Sequence, residues 1–189
     1  MNFAVLASGK GSNLQAIINA VKLRKIKADL KLVISDKAEA FALKRAQKAK
    51  IPVVFVDPKK YDDRVSFDRA VVAHLKAAKV DFVVLAGFMR ILSPYFIQQY
   101  PMKILNVHPA LLPGFPGAHA IGDAFDYGVK VTGVTIHFVD EKIDHGPIIM
   151  QEIVRVEKRD TLKSLEAKIH RAEHALYPKV IDLFARGKL

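Results

Sequence analysis

Residues 2–18, NFAVLASGKGSNLQAII, pass from an apolar run through a glycine-bearing loop into a helical pattern. The uninterrupted apolar run at 2–7 is typical of a strand that is buried on both faces. Apolar side chains then recur between Leu14 and Val21 at positions i, i+3, i+4 and i+7, which predicts an amphipathic helix. A buried strand followed by such a helix is the repeating unit of a parallel α/β sheet.

The same alternation of strand and helix patterns continues along the first half of the chain. Further strands are predicted at 30–34, 53–56 and 80–86, and further helices at 38–49 and 63–78. This order of elements predicts an α/β fold, a Rossmann-like doubly wound and mostly parallel sheet.

The pattern changes in the second half. Strands predicted at 131–139 and 148–155 are joined by a connection too short for a parallel crossover, so they should form an antiparallel C-terminal strand pair. A long C-terminal helix should follow, capped by Asp160 and kinked or interrupted at Pro178. The other predicted elements are a helix at 93–100 capped by Ser93, a short strand at 102–106, a Pro/Gly-rich loop at 109–117 and a helix at 118–127.

Length and composition favour one domain, residues 1–189, with no repeat or linker. The absence of cysteine excludes disulfides, a thiolate nucleophile and Cys-based zinc sites. No apolar stretch approaches the roughly 20 residues that span a bilayer, and the N-terminus lacks the basic region of a signal peptide. We therefore expect a cytoplasmic protein with no membrane partner.

The formal net charge of +11 is open to three interpretations: a solvated basic surface, attraction of small anions, or nucleic-acid binding. The basic residues are spread over several segments and are not interleaved with the aromatic residues that stack on single-stranded bases. This distribution favours the solvated surface first and small anions second. We expect no nucleic-acid partner.

The loop Ser8-Gly9-Lys10-Gly11-Ser12-Asn13 has the glycines of a tight strand-to-helix turn. It lacks the third glycine of a dinucleotide fingerprint, because position 14 is Leu, and it does not match the P-loop pattern. The backbone N–H groups of Gly11, Ser12 and Asn13 would lie at a helix N-terminus, which favours a mononucleotide or sugar phosphate. The alternative is a plain turn with Ser12 as N-cap.

Asn106 and His108 stand two residues apart where an apolar run ends, so they should share one face at the carboxyl end of a strand. An amide donor beside a proton carrier can stabilise an oxyanion. Asp144, in the loop between the two late strands, is a candidate partner that would orient His108 and favour its protonated form. The alternative is that Asn106 and His108 end a strand and Asp144 forms a turn.

His170-x-x-Glu173-His174 matches a zinc-binding pattern, with the two histidines on one helical face. The match is short and no third ligand lies nearby in the sequence. We therefore predict no metal, and interpret these residues as polar groups on the last helix.

Several long motifs, in order and spacing, resemble the folate-dependent glycinamide ribonucleotide formyltransferases. The resemblance runs essentially from end to end. It is carried by Leu6 to Ile17 (LASGKGSNLQAI), Leu85 to Leu92 (LAGFMRIL), Asn106 to Pro113 (NVHPALLP), Gly133 to Val139 (GVTIHFV) and Asp144 to Ile149 (DHGPII).

The resemblance implies transfer of the formyl group of 10-formyltetrahydrofolate, as co-substrate, to glycinamide ribonucleotide in purine synthesis. It implies a phosphate-binding half at about 1–100 and a folate-binding and catalytic half at about 101–189. Asn106, His108 and Asp144 would be catalytic. The ribonucleotide would be bound by Gly11, Ser12, Asn13, Pro109, His170 and Glu173. The folate would be bound by Arg64, Met89, Arg90, Ile91, Leu92, Asn106, Val139, Asp140, Glu141, Lys142, Ile143 and Asp144.

Two related formyl-folate enzymes and one unrelated class remain as alternatives. Methionyl-tRNA formyltransferases carry an additional C-terminal domain and formyltetrahydrofolate hydrolases an N-terminal regulatory domain, so the extent of this chain and its phosphate loop favour the purine enzyme. The hydrolase is the first alternative. The second is a non-catalytic basic module that binds mononucleotides or RNA. We expect small-molecule substrates and a monomer or homodimer.

Overall fold

The protein, described over residues 1–189 by a computed structural model, contains one seven-stranded sheet flanked by helices. A single 3₁₀ turn at Pro58–Lys60 precedes the third helix. The strands are β1 (Asn2–Leu6), β2 (Asp29–Ser35), β3 (Val53–Phe55), β4 (Phe82–Leu85), β5 (Ile104–His108), β6 (Val131–Phe138) and β7 (Ile148–Arg155). The helices are α1 (Ser12–Lys22), α2 (Phe41–Lys48), α3 (Arg64–Ala77), α4 (Pro94–Gln99), α5 (Ala120–Tyr127) and α6 (Leu162–Ala185).

The strand order is β3-β2-β1-β4-β5-β6-β7. The five strands from β3 to β5 are parallel, whereas β6 is antiparallel to both β5 and β7. The order reverses between β1 and β4, and ligands of such sheets bind in the crevice at the carboxyl ends of the strands near that point. The predicted doubly wound fold, its antiparallel C-terminal pair and its long last helix are confirmed.

A hydrophobic core lies on each face of the sheet, because successive side chains of a strand point to opposite faces. Phe3 and Val5 of β1 belong to the larger core, which also holds apolar residues of α1, α2 and α6. Ala4 and Leu6 belong to the smaller core under α3 and α4. Both halves of the chain contribute to each core. No helix of the protein is long and apolar enough to cross a membrane.

Three local predictions differ from the structure. Gly11, with φ of 68°, is the N-cap of α1, and Ser12 is instead the first residue of the helix. Thr161 caps α6 by accepting a hydrogen bond from the Ser164 N–H, because the Asp160 carboxylate is already engaged by Lys168. The sequence pattern predicts Asp160 as the N-cap of α6, and this prediction is wrong by one residue.

The last helix also runs without interruption through Pro178, which is buried. Core residues lie on both sides of the proline, with Tyr177 before it and Val180 after it, and all three are shielded from solvent. The burial of this apolar stripe offsets the hydrogen bond that proline cannot make. The predicted interruption at Pro178 is therefore wrong.

Candidate active site

Strand β5 begins and ends two residues later than the strand predicted at 102–106, so it carries both polar residues within it. Strand β6 pairs with β5, and in this register Asn106 lies opposite His137 and His108 lies opposite Thr135. The Nδ2 atom of Asn106 lies 3.1 Å from Nε2 of His137. The buried His137 ring has its Nδ1 atom 2.8 Å from the Phe138 carbonyl oxygen. If Nδ1 donates to this carbonyl, Nε2 is left to accept from the amide, which fixes the orientation of Asn106.

His137 was not among the sequence candidates. The alternation along 131–139 predicted two unlike faces of the strand, but the pattern does not identify the partner across the sheet. The signal available in the sequence was a histidine within the pattern of a largely buried strand.

The Asp144 carboxylate joins this cluster from the loop before β7. Its Oδ2 atom lies 3.3 Å from Nδ1 of His108 and accepts a hydrogen bond of 2.8 Å from the Gly117 N–H. Its Oδ1 atom lies 3.4 Å from Nδ2 of Asn106 and 3.7 Å from Nε2 of His137. Burial alone would raise the pKa of Asp144, but the His137 contact, the Gly117 N–H and the charge of His108 together lower that pKa.

The other ring nitrogen of His108 also meets an oxygen. Its Nε2 atom lies 2.8 Å from the carbonyl oxygen of Phe115, a residue with φ of 51° in the loop before α5. Both ring nitrogens therefore face acceptors, which is the environment of an imidazolium beside an ionised carboxylate. The cluster thus offers an amide donor and a proton carrier, each beside the same carboxylate.

The glycine loop forms a second cluster at the start of α1. None of the N–H groups of Gly11, Ser12 and Asn13 donates a hydrogen bond within the chain. A side chain at position 11 could not fit, because a Cβ there would lie 2.8 Å from Cα of Ala42. Free N–H groups at the positive end of a helix favour an anion.

The last helix contacts this loop through a buried carboxylate. Oε2 of Glu173 accepts from Nδ2 of Asn13 at 3.1 Å and lies 2.8 Å from Nδ1 of His170. The Glu173 hydrogen bond raises the pKa of His170, whereas burial lowers the pKa of His174. The protein contains no group of three or more His, Cys, Asp or Glu side chains arranged to hold a metal ion.

The segment after β4 presents backbone and apolar groups beside the glycine loop. The Met89 N–H donates to Oγ of Ser8 at 2.9 Å. Met89 and Ile91 are exposed, whereas Leu92 is buried. The Arg90 guanidinium lies 4.5 Å from the centre of the Phe67 ring, and its buried Nε has no hydrogen-bond partner.

A buried acid lies under this segment. Burial raises the pKa of Asp68 despite a hydrogen bond of 2.6 Å from the Ser93 N–H. The charges of Arg64 and Arg90 act in the opposite direction and lower that pKa. Arg64, the first residue of α3, makes no hydrogen bond or ion pair with the other candidate site residues.

The loop from Val139 to Asp144 is anchored at both ends. The Val139 N–H donates to the Ile104 carbonyl at 2.9 Å, and the Asp140 carboxylate lies 2.7 Å from Nδ1 of His145. Glu141, Lys142 and Ile143 between these anchors are exposed. This loop therefore presents exposed side chains next to the cluster of Asn106, His108 and Asp144.

In the structure Asp144 contacts both Asn106 and His108, and Glu173 contacts both Asn13 and His170. Pro109, half-buried, directly follows His108. Hydrogen-bonding and titratable groups at the carboxyl end of a doubly wound sheet characterise the protein as an α/β enzyme. Residues 1–181 match the formyl transferase family, and the chain belongs to it.

Two bacterial relatives within that family are phosphoribosylglycinamide formyltransferases. The phosphoribosylglycinamide formyltransferase of Bacillus subtilis is 44% identical over 179 residues, 95% of this chain and 92% of that protein. The Escherichia coli enzyme of the same name is 45% identical over all of this chain and 89% of its own length. The crystal structure of glycinamide ribonucleotide transformylase 1 from Symbiobacterium toebii superposes with a TM-score of 0.97 at 44% identity, covering 99% of this chain and 88% of that one.

Proposed function

We propose that the protein transfers the formyl group of 10-formyltetrahydrofolate to the amine of glycinamide ribonucleotide in purine synthesis. The observation that carries the proposal is the 3.3 Å contact between Asp144 and His108, with Asn106 on the same strand. The names of the relatives supply the acceptor, and the free N–H groups of the glycine loop suit its phosphate.

The acceptor would lie across the two clusters. Gly11, Ser12 and Asn13 would hold the phosphate, while Pro109, with His170 and Glu173, would face the sugar and glycinamide. The buried Glu173 carboxylate is held by Asn13, which supports a fixed acceptor for hydrogen bonds from the substrate. The phosphate-binding half, about 1–100, and the catalytic half, about 101–189, would thus meet at this substrate.

The folate would lie on the other side of His108. Its pterin would contact the backbone of Met89, Arg90, Ile91 and Leu92. The loop of Val139, Asp140, Glu141, Lys142, Ile143 and Asp144 would close over it. Arg64 would supply a positive charge at its far end. The exposed apolar side chains of Met89 and Ile91 support this arrangement, because a pterin can cover them.

The chemistry follows from the positions of three groups. As the substrate amine attacks the formyl carbon, negative charge develops on the formyl oxygen. The Asn106 amide exchanges its 3.4 Å contact with Oδ1 of Asp144 for a hydrogen bond to that oxygen. His108 donates a second through Nε2 after releasing the Phe115 carbonyl. Asp144 holds the opposite ring nitrogen and stabilises the imidazolium. A proton then passes from the attacking amine to N10, the bond between N10 and the formyl carbon breaks, and no covalent enzyme intermediate forms.

The test is formyl transfer measured in parallel to glycinamide ribonucleotide and to water. We expect formylated ribonucleotide to form and free formate to be negligible. Formate release that does not depend on the ribonucleotide would instead identify a hydrolase. Salt-dependent RNA binding with neither product would identify a basic binding module.

A further inference from the structure

The glycine loop is held from outside by helix α2. The Ala42 N–H donates to the Gly9 carbonyl at 3.1 Å, and Nε of Arg45 donates to the Lys10 carbonyl at 2.8 Å. Ala42 also packs directly against Gly11. Two consecutive carbonyl groups of the loop are therefore turned towards α2 and held there.

These two contacts determine the direction of the next two N–H groups. The only cis peptide bond in the chain is Leu112-Pro113, so the peptides after Gly9 and Lys10 are trans. In a trans peptide the carbonyl and the N–H point in opposite directions. Holding the carbonyl groups towards α2 turns the N–H groups of Lys10 and Gly11 away from it, and neither N–H has a partner within the chain. Successive free N–H groups of this kind form an anion-binding concavity.

Arg45 is itself fixed at three points. Besides the Lys10 carbonyl, its guanidinium donates to Oε1 of Gln15 at 3.1 Å and lies 4.8 Å from the centre of the Phe41 ring. It therefore bridges α2, the loop and the first turns of α1. A cation beside a helix N-terminus is unfavourable unless an anion is present, and the first turn of α1 contains no acidic residue.

We infer that Arg45 is a positioning residue for the phosphate of the acceptor. By holding the Lys10 carbonyl away from the site, it presents the Gly11 N–H to the phosphate and adds a positive charge behind the loop. The inference rests on the proposed function for the identity of the acceptor, but the geometry concerns any phosphate monoester at this loop.

Kinetics of Arg45→Ala test the inference. We expect KM for glycinamide ribonucleotide to rise about tenfold or more, the cost of a lost hydrogen bond from a charged group. The kcat value and KM for 10-formyltetrahydrofolate should stay unchanged. Lys44→Ala is the matched control, because Lys44 is the exposed neighbour on α2 and its loss removes the same charge. An equal rise of KM in both variants would mean that charge alone matters, and would overturn the positioning role.

Binding of ribose 5-phosphate separates this inference from the proposed function. We expect the amide resonances of Gly11, Ser12 and Asn13 to shift on titration, with weaker affinity in Arg45→Ala. If the protein gives this binding result but does not formylate glycinamide ribonucleotide, the role of Arg45 is supported and the proposed acceptor is rejected. Unchanged ribose 5-phosphate affinity in Arg45→Ala would overturn the inference. If Arg45→Ala does not fold, Arg45→Lys replaces it, because lysine lacks the two fixed donors that contact the Lys10 carbonyl and Gln15. An unchanged affinity and KM in that variant would overturn the positioning role.

Discussion

The Asp144 carboxylate lies 3.3 Å from Nδ1 of His108, and both side chains are almost fully shielded from solvent. His108 is the last residue of β5 and Asp144 lies in the loop before β7, where it adopts a left-handed backbone conformation with φ of 48°. A glycine two residues later allows the close turn, because a Cβ at Gly146 would overlap the Phe138 carbonyl oxygen. The backbone conformation at Asp144 and Gly146, as well as the charge of the carboxylate, therefore brings Asp144 to His108.

We expect Asp144→Asn to lower kcat strongly while the fold persists, because the amide keeps the shape but removes the charge that stabilises protonated His108. The wild-type pKa of Asp144 is lowered, so its carboxylate stays ionised through the neutral range. The pH profile of kcat between about 5 and 9 should therefore not contain the titration of Asp144. A wild-type kcat in this variant would contradict the assignment.

The same lowered pKa predicts a pH dependence of stability. A carboxylate whose folded pKa is depressed stabilises the folded state above its unfolded pKa of about 3.9, and this contribution is lost as pH falls towards the folded pKa. Below about pH 5, the difference in free energy of unfolding between wild type and Asp144→Asn should narrow as the pH falls. Urea titrations at several pH values measure it, and a difference that grows with acid would contradict the pKa direction.

Asn106→Ala and His108→Ala should each reduce kcat by about 10²–10³ or more, as removal of an oxyanion donor typically does. Single-turnover formyl transfer at saturating substrates is the direct measurement, since it separates the chemical step from binding. Circular dichroism of each variant controls for folding. Full activity of His108→Ala would reject the mechanism.

His137→Phe should lower kcat through Asn106, because the amide loses the acceptor that fixes its orientation. A double-mutant cycle with Asn106→Ala isolates this effect: once the amide is absent, replacing His137 should have little further consequence for kcat. Fully additive losses would mean that His137 acts independently of Asn106.

Tyr177→Phe should destabilise the protein by about 1–3 kcal/mol, because the two buried carbonyl groups beside the hydroxyl lose the single hydrogen that they share. The Tyr177 hydroxyl lies 2.8 Å from the Leu85 carbonyl and 2.9 Å from the Leu105 carbonyl, where β4 and β5 reach the site. Denaturant unfolding measures the loss. Tyr127→Phe, at a residue 81% exposed, is the matched control and should leave stability unchanged.

Local patterns were sufficient to predict the fold. Alternating strand and helix signals, and the short connection before β7, led to the correct sheet direction because each depends on neighbours in sequence. Element ends were less predictable: Thr161 caps α6 because Lys168 draws Asp160 into an ion pair, which sequence spacing does not reveal. Pro178 stays within a helix because tertiary packing outweighs its local cost.

The site was predictable to the extent that its residues lie on recognisable motifs. The proximity of His108 and Asp144 required coordinates, since His108 ends strand β5 and Asp144 lies in a loop 36 residues further along the chain. His137 and Arg45 were not identified because each acts on a partner from another element, through Asn106 and the Lys10 carbonyl respectively. A residue that positions a functional group is therefore harder to predict from the sequence than the residue to which that group belongs.

The hydrogen bond between Asn13 and Glu173 spans 160 residues and has a consequence for biosynthesis. As the chain emerges from the ribosome, the glycine loop is made before its partner on α6. A nascent chain that stops before α6 lacks the carboxylate beside the first loop. The side chain of Asn13 therefore has its Glu173 acceptor only after α6 has been translated.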